Sequence, residues 1–316
     1  MSMFCYQCEQ TAKGSGCTSF GVCGKDPETA ALQDFLIDGA KHISQYSHRL
    51  RKEGIKDREL DIFIVESLFT TVTNVNFDPA RLQKLIGKAS CLLEKAKKMY
   101  EEACQKSGKQ AESFDKWESA KDLNEIIKQG ENVTIAKRIE KLGADAAGLQ
   151  ELLTYGLKGT AAYADHAMVL GVEDDSVYAF FHEALDFLTN PTPTVDSLVS
   201  MCMKCGEVNL KVMGMLDTAN TKSYGNPIPT AVRIEPVKGK CILVSGHDLK
   251  DLEELLKQTE GKGINIYTHG EMLPTHGYPN LKKYSHLVGN YGGAWQDQRQ
   301  EFDQFPGSIL MTTNCI

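Results

Sequence analysis

Four cysteines near the start of the chain could bind a metal centre. Cys5, Cys8, Cys17 and Cys23 have the spacing C-x2-C-x8-C-x5-C in a polar, glycine-rich stretch. Glycine lets a loop approach the sulfides of an iron–sulfur cluster closely. Zinc also binds four thiolates, and the Cys5–Cys8 pair has a common zinc spacing, but structural zinc sites usually bring two close pairs. The spacing therefore favours an iron–sulfur cluster over zinc, without distinguishing a four-iron from a two-iron cluster.

Three further potential ligands follow predicted strands in the last third of the chain. The strands are predicted at 241–245, 264–268 and 308–314, and His247, Glu271 and Cys315 come shortly after their ends. Strand–helix–strand repeats predict a parallel sheet, whose carboxyl edge gathers the residues that follow the strands. A histidine, a carboxylate and a thiolate at one edge predict a mixed metal site. No G-x-G-x-x-G motif follows the first strand, so a nucleotide cofactor is not supported.

The elements before this sheet are predicted to be helical, from about Asp26 to Leu216. Apolar residues recur there at helical spacing, and Asp78-Pro79 is typical of a helix start. We predict a fold that is mainly α plus α/β: a cysteine-rich loop over 1–25, a helical bundle over 26–222, and a truncated, Rossmann-like parallel-sheet domain over 223–316. Other cysteines and histidines are predicted to be core or ordinary polar residues rather than ligands, namely Cys91, Cys104, Cys202, Cys205, His42, His48, His166, His182, His276 and His286.

The composition is that of an ordinary soluble protein. The chain has 316 residues with a formal net charge of −7, and 41% of them are hydrophobic. No basic tract is present, so we expect no nucleic-acid or anionic-membrane partner. No apolar run is long enough to span a membrane and no secretory signal is visible, so we expect a cytoplasmic protein. A reducing compartment argues against disulfides among the cysteines.

The motifs together resemble one family. The N-terminal cysteine stretch, "SGHDLKDLEELL", "THGEMLPTHGYP", "LVGNYGGAWQDQ" and "ILMTTNC" are similar to those of the hybrid cluster proteins, also called prismane proteins or hydroxylamine reductases. The resemblance runs from Met3 to the last residue. It implies that a [4Fe-4S] cluster is bound by Cys5, Cys8, Cys17 and Cys23. It also implies that three ligands of a hybrid [4Fe-2O-2S] iron–sulfur–oxygen cluster are His247, Glu271 and Cys315.

The same resemblance implies an activity. Members of the family reduce hydroxylamine to ammonia and water, reduction of nitric oxide is also attributed to them, and an external redox protein donates the electrons. Family chains continue beyond the position of Cys315 and supply three more cysteines and another glutamate to the hybrid cluster. We therefore expect this sequence to be an N-terminal part with an incomplete ligand set. The alternative is a single-cluster [4Fe-4S] electron-transfer or interaction module without its own catalysis, and a zinc-stabilised helical protein is a third reading.

Overall fold

The computed structural model describes residues 3–315 and divides into two compact units. The first unit contains the chain up to Asp165 together with Asp174–Met213, and the second contains His166–Glu173 and the chain from Gly214 onward. Helices dominate the chain up to Tyr224, and a parallel sheet follows, which confirms the predicted fold class. The three-part domain division with boundaries at 25/26 and 222/223 stays a prediction.

Eight α-helices lie between residues 3 and 224 of the described chain. They are α1 (Pro27–Lys52), α2 (Arg58–Thr70), α3 (Pro79–Ser107), α4 (Leu123–Gly130), α5 (Ile135–Leu142), α6 (Ala144–Val169), α7 (Asp175–Phe187) and α8 (Val195–Tyr224). The predicted Asp78-Pro79 start is confirmed, because the Asp78 side chain accepts a hydrogen bond from the backbone N–H of Ala80 at 2.9 Å. Asp26 caps α1 in the same way, with a bond of 2.7 Å from Thr29. These caps satisfy N–H groups that the first helical turn leaves unpaired.

The core of the first unit forms around α1. This helix packs against α2, α3, α4 and α7, and its face with Leu32, Leu36 and Ile43 is fully buried. One buried polar network lies in this core. His182 on α7 contacts Ser47 through Nδ1 at 2.6 Å and Asp61 through Nε2 at 2.9 Å. Arg51 pairs with the same carboxylate at 2.6 Å, so the polar groups of this network partner one another.

One prediction about the cysteines was wrong. Cys91 was expected in the core, but it is exposed, whereas Cys104 and Cys205 are buried as predicted and Cys202 is partly buried. The apolar stripe of α3 runs through Leu85, Ala89, Leu92 and Ala96 at spacings of three and four. Cys91 lies one position away from Leu92 and therefore points about 100° off the stripe.

The second unit contains a parallel sheet of four strands in the order β3-β2-β1-β4 within the described residues. The strands are β1 (Lys240–Ser245), β2 (Ile264–Thr268), β3 (Leu287–Asn290) and β4 (Ser308–Met311), and the helices are α9 (Leu249–Thr259), α10 (Pro279–Lys282) and α11 (Gln298–Gln304). Short 3-10 helices lie at Gly270–Gly277 and Trp295–Asp297. The core packs one face of the sheet on α9 through Val244, Ile266, Leu252 and Leu256.

Two features of this sheet differ from the prediction. β4 ends at Met311 rather than near residue 314, and β3 was not among the predicted strands. β3 is only four residues long and contains Gly289, so its sequence carries little strand signal. The glycine is needed because a Cβ atom there would lie 2.3 Å from the carbonyl oxygen of Arg233. Asn290 donates its backbone N–H to that same oxygen at 2.9 Å.

No helix among the described residues is both long and apolar enough to cross a bilayer. The cytoplasmic location remains an expectation.

Candidate metal centres

Three predicted ligands meet at the carboxyl edge of the sheet. The Nε2 atom of His247, a carboxylate oxygen of Glu271 and the Sγ atom of Cys315 all lie within 4.8 Å of one another. Nε2 is 2.5 Å from Oε2 of Glu271 and 3.2 Å from Sγ. These residues follow β1, β2 and β4, which are neighbours in the sheet. One nitrogen, one oxygen and one sulfur donor are thus close enough to share a metal ion.

The loops that carry His247 and Cys315 are joined by backbone hydrogen bonds. His247 donates its N–H to the carbonyl of Thr313 at 2.9 Å, and Thr312 donates its N–H to the carbonyl of Ser245 at 3.0 Å. Gly246, with φ of +114°, directly precedes His247 and faces the loop that carries Cys315. A Cβ atom there would lie 2.2 Å from Oγ1 of Thr312 and 2.5 Å from the carbonyl oxygen of Thr313. Only glycine therefore allows this close approach of the two strand ends.

The chain that presents Cys315 has an unusual backbone. Asn314 and Cys315 have φ of +57° and +54°, a left-handed region that non-glycine residues seldom adopt. Such outliers persist where neighbouring structure holds them, and they cluster at functional sites. The Oδ1 atom of Asn314 and the Oγ1 atom of Thr313 are buried and have no hydrogen-bond partner within residues 3–315. Unpaired buried atoms beside three convergent donors are consistent with a site built around a bound group.

A hydrogen-bonded group behind the donors was not foreseen from the sequence. Gln298, at the start of α11, donates through Nε2 to the carbonyl of Cys315 in a short contact and to Oγ of Ser245 at 3.1 Å. His269 is fully buried, and its Nε2 atom lies 2.7 Å from the Glu301 carboxylate. The only sequence signal for this group was the position of His269 directly after β2. Its partners come from α11, which no spacing rule connects to that strand.

Burial sets the protonation of the donors. Burial lowers the pKa of His247, although the Glu271 carboxylate opposes the shift, so the imidazole is neutral near pH 7 and offers a lone pair. Burial and the negative charge of Glu271 raise the pKa of Cys315 to about 11, partly offset by the Glu271 backbone N–H that bonds its sulfur. A thiol of this kind becomes a ligand when a cation displaces its proton.

The N-terminal cysteines also lie close together. Cys5 and Cys17 form an antiparallel bridge, with N–H to carbonyl distances of 3.0 and 2.8 Å. Burial raises the pKa of Cys8, and the charges of Cys23, Cys5 and Cys17 add to this rise. All four cysteines are free thiols. The bridge and these charge interactions support a shared site, and the assignment of the four cysteines as ligands stays a prediction.

Cys17 is held in an environment that favours the thiolate. Burial raises its pKa. The backbone N–H groups of Ala12 and Val22 and the Thr11 hydroxyl together lower the pKa by more than burial raises it, so the net shift is downward. The distance from the Ala12 nitrogen to Sγ is 3.4 Å. N–H groups directed at sulfur stabilise cysteine ligands of iron–sulfur clusters and tune their potentials. The donor set of four sulfurs in a loop fits such a cluster.

Several histidines outside these sites have ordinary partners, as predicted. His276 contacts Oγ1 of Thr268 at 2.9 Å, and His286 contacts Oγ1 of Thr259 at 3.0 Å. His182 belongs to the buried network of the first unit. Neither His276 nor His286 belongs to the donor group at the sheet edge.

Comparison with known proteins identifies the family. The profile described as the Prismane/CO dehydrogenase family matches residues 3–316 of the chain. The chain belongs to the Prismane/CO dehydrogenase family. The resemblance drawn from the motifs is therefore confirmed.

Curated relatives carry the name hydroxylamine reductase. The protein of that name from Rhodospirillum rubrum is 54% identical over 317 residues, which cover 99% of this chain and 58% of the relative. Those from Syntrophobacter fumaroxidans and Geobacter metallireducens are 55% and 50% identical, again over 58% of their length. The chain thus spans less than two thirds of the length of these relatives. A solved structure, carbon monoxide dehydrogenase IV from Carboxydothermus hydrogenoformans, matches with a TM-score of 0.28 and 16% identity over 99% of this chain and 46% of that one, too distant to carry an argument.

Proposed function

We propose that this chain contributes to an iron–sulfur oxidoreductase of the hydroxylamine reductase type. The observation that carries the proposal is the convergence of His247, Glu271 and Cys315 at the carboxyl ends of adjacent parallel strands. The relatives named hydroxylamine reductase, about half identical over nearly the whole chain, support it. The substrate would be a small nitrogen oxide, hydroxylamine or nitric oxide, and an external redox protein would donate electrons.

In this proposal the two donor sets hold two centres. Cys5, Cys8, Cys17 and Cys23 would hold a [4Fe-4S] cluster, and His247, Glu271 and Cys315 would contribute to a hybrid [4Fe-2O-2S] cluster. When bound, these groups would supply electron transfer and an iron site for the substrate. The net reaction is hydroxylamine plus two electrons and two protons giving ammonia and water.

The chain's own residues divide the work at the second centre. Cys315 is buried and its carbonyl is fixed by Gln298, so its sulfur is the most firmly held donor. Glu271 is exposed, and its side chain can move without disturbing the core. A mobile carboxylate suits a centre that must open to substrate, while a thiolate holds the metal. His247 supplies a neutral nitrogen oriented by the backbone bond to Thr313.

The first experiment is metal and sulfide analysis of the anaerobically purified and reconstituted chain. About four irons with matching sulfide would indicate the cysteine-bound cluster alone, and about eight would indicate both centres. We expect Cys17→Ser to lose the brown absorbance, because it removes one of the four proposed thiolate ligands, the one whose sulfur accepts the backbone N–H groups of Ala12 and Val22. Cys91→Ser is the matched control, since Cys91 is an exposed lone cysteine. Zinc without sulfide, or equal iron in both variants, would remove the iron–sulfur proposal.

A specific observation also favours the second function, a single-cluster electron-transfer module. Within the described residues, the second donor group contains three residues, which is few for a cluster of several irons. We therefore expect the chain alone to show no hydroxylamine reduction with reduced viologen dye. A protein of the relatives' full length should be active. Turnover by this chain that Glu271→Ala abolishes would contradict the expectation and establish catalysis here.

A further inference from the structure

A polar cavity of about 190 Å³ lies in the first unit, and none of the seven proposed metal ligands lines it, although Lys158 and Glu151 also line a neighbouring pocket that contains Cys5. It is bounded by α1, α5, α6 and the segment that precedes α5. Five of its lining residues are basic: Lys41, Lys137, Arg138, Lys141 and Lys158. Three carboxylates also line it, so its formal charge with all groups ionised is two positive units. We propose that this cavity is a binding site for a small divalent oxyanion of the phosphate or sulfate type.

The cations deepest in the cavity make no direct ion pair among the described residues, although the charges of Asp34 and Glu151 act on both from the same lining. Lys41 is 8% exposed, and it makes no hydrogen bond or ion pair within residues 3–315 that would compensate its charge. Lys158 is 6% exposed, and its Nζ atom reaches only the carbonyl of Thr71 at 3.2 Å and the ring of Tyr155 at 5.9 Å. Burying an ammonium group without a counterion is costly. A bound anion would remove that cost at both residues.

Arg138 has unused hydrogen-bonding capacity in the same place. One of its terminal nitrogens contacts the buried carboxylate of Glu151, but its Nε atom is buried and has no acceptor among the described residues. A guanidinium group can donate two parallel hydrogen bonds to an oxyanion. Burial lowers the pKa of Lys41 and that of Lys158 to about 8, a shift that a neighbouring anion would oppose.

The lining selects the class of ligand. It contains no aromatic side chain, and its apolar members are Ile37 and Val133. A nucleobase would therefore find no stacking partner, and a metal cation would face a net positive wall. The volume fits a tetrahedral oxyanion with a few water molecules, since each water occupies about 30 Å³ in the liquid. Asn132 and Thr154 add polar side chains to the wall.

α5 carries three of the cavity's five basic residues, and few buried contacts hold this helix in place. α5 has eight residues and buries only Ile135, yet it contributes Lys137, Arg138 and Lys141 to the cavity. A helix this short gains little from its own hydrogen bonds and depends on tertiary contacts. An anion bridging α5 to Lys41 on α1 and Lys158 on α6 would supply such a contact. Ligand binding should therefore order α5.

The test is isothermal titration of the purified chain with inorganic phosphate and with sulfate, against chloride at matched ionic strength. We expect saturable binding of one anion per chain, and at least about tenfold weaker binding by Lys41→Met, because a charged hydrogen-bond donor is lost. Lys97→Met is the control, since Lys97 is an exposed lysine on α3 and does not line the cavity. Equal affinity in wild type and Lys41→Met, or no saturable binding, would overturn the proposal.

Hydrogen exchange gives an independent readout on the same proteins. Phosphate should slow amide exchange in peptides covering residues 135–142 of the wild type and of Lys97→Met, but not of Lys41→Met. If Lys41→Met fails to fold, Lys137→Ala at the exposed rim decides the question by the same two measurements. Neither measurement depends on metal loading, so a failure here leaves the proposed redox function untouched. The proposal of an anion site would be contradicted if chloride slowed amide exchange at residues 135–142 equally, or if phosphate still slowed it in Lys41→Met.

Discussion

Replacing Gly246 by alanine should separate the two strand ends that present His247 and Cys315. The new Cβ atom would lie 2.2 Å from Oγ1 of Thr312 and 2.5 Å from the carbonyl oxygen of Thr313. Backbone must therefore move, because the second contact is with a main-chain atom. The movement would break the bond of 2.9 Å from His247 N–H to Thr313.

The expected loss of stability has two parts. Alanine at a φ of +114° costs about 1–3 kcal/mol in backbone strain, and overpacking against Thr312 and Thr313 adds about 1–3 kcal/mol. Gly261→Ala provides the matched control, since Gly261 has φ of +72° and no atom within 4 Å of its added Cβ. The control carries a strain cost alone. The difference between the two variants should be about 1–3 kcal/mol, or roughly 4–15 °C in melting temperature for a unit of this size.

Thermal unfolding and hydrogen-exchange mass spectrometry measure the two consequences. Peptides covering residues 241–248 and 308–315 should exchange faster in Gly246→Ala, and those of the first unit should not change. In Gly261→Ala the sheet-edge peptides should exchange as in the wild type. Equal melting temperatures for the two variants, together with unchanged exchange at residues 241–248, would refute the claim that glycine is required for the approach of these strand ends.

Three further predictions concern other parts of the structure. Asp61→Asn should destabilise the first unit by about 3 kcal/mol in denaturant unfolding, because it removes the buried carboxylate that pairs with both Arg51 and His182 and leaves Arg51 its half-exposed partner Asp175; a loss below 0.5 kcal/mol would count against it. Burial raises the pKa of Asp34 to about 6, so its protonated form stabilises the fold below about pH 4 and this stability is lost as pH rises through 6. Asp34→Asn should therefore raise the melting temperature at pH 8 but not at pH 4. Gln298→Leu should speed amide exchange at residues 312–315 without melting the sheet, because only its bonds to Cys315 and Ser245 are lost.

The sequence predicted the donor residues of the sheet edge better than the sheet itself. Two strands with clear apolar runs, β1 and β2, were located to within a residue, and each is followed by its predicted ligand. Those ligands meet because β1 lies between β2 and β4, and parallel strands share a carboxyl edge. β3 escaped prediction because it is short, contains a glycine and lies at the sheet's edge, where few apolar positions are required.

The cysteine loop shows the same balance. Its four thiols were proposed as ligands from their spacing and that assignment stays a prediction, while its backbone could not be predicted. The bridge between Cys5 and Cys17 joins residues in an irregular segment with no hydrophobic period. Its conformation depends on contacts such as the Ala12 N–H directed at the Cys17 sulfur. Local propensities carry no information about such bonds.

The supporting residues of the sheet edge explain why ligand identity is not enough to specify a site. Gln298 and Cys315 are seventeen positions apart and lie on different elements, and neither has a sequence signal that refers to the other. Their contact arises because the start of α11 directs an amide at a carbonyl whose residue has left-handed φ. The side chain that binds metal is chosen by its chemistry, but its position is fixed by polar partners that many residue types could supply. Sequence patterns therefore reveal the donors first, and only the three-dimensional arrangement shows which residues hold them in place.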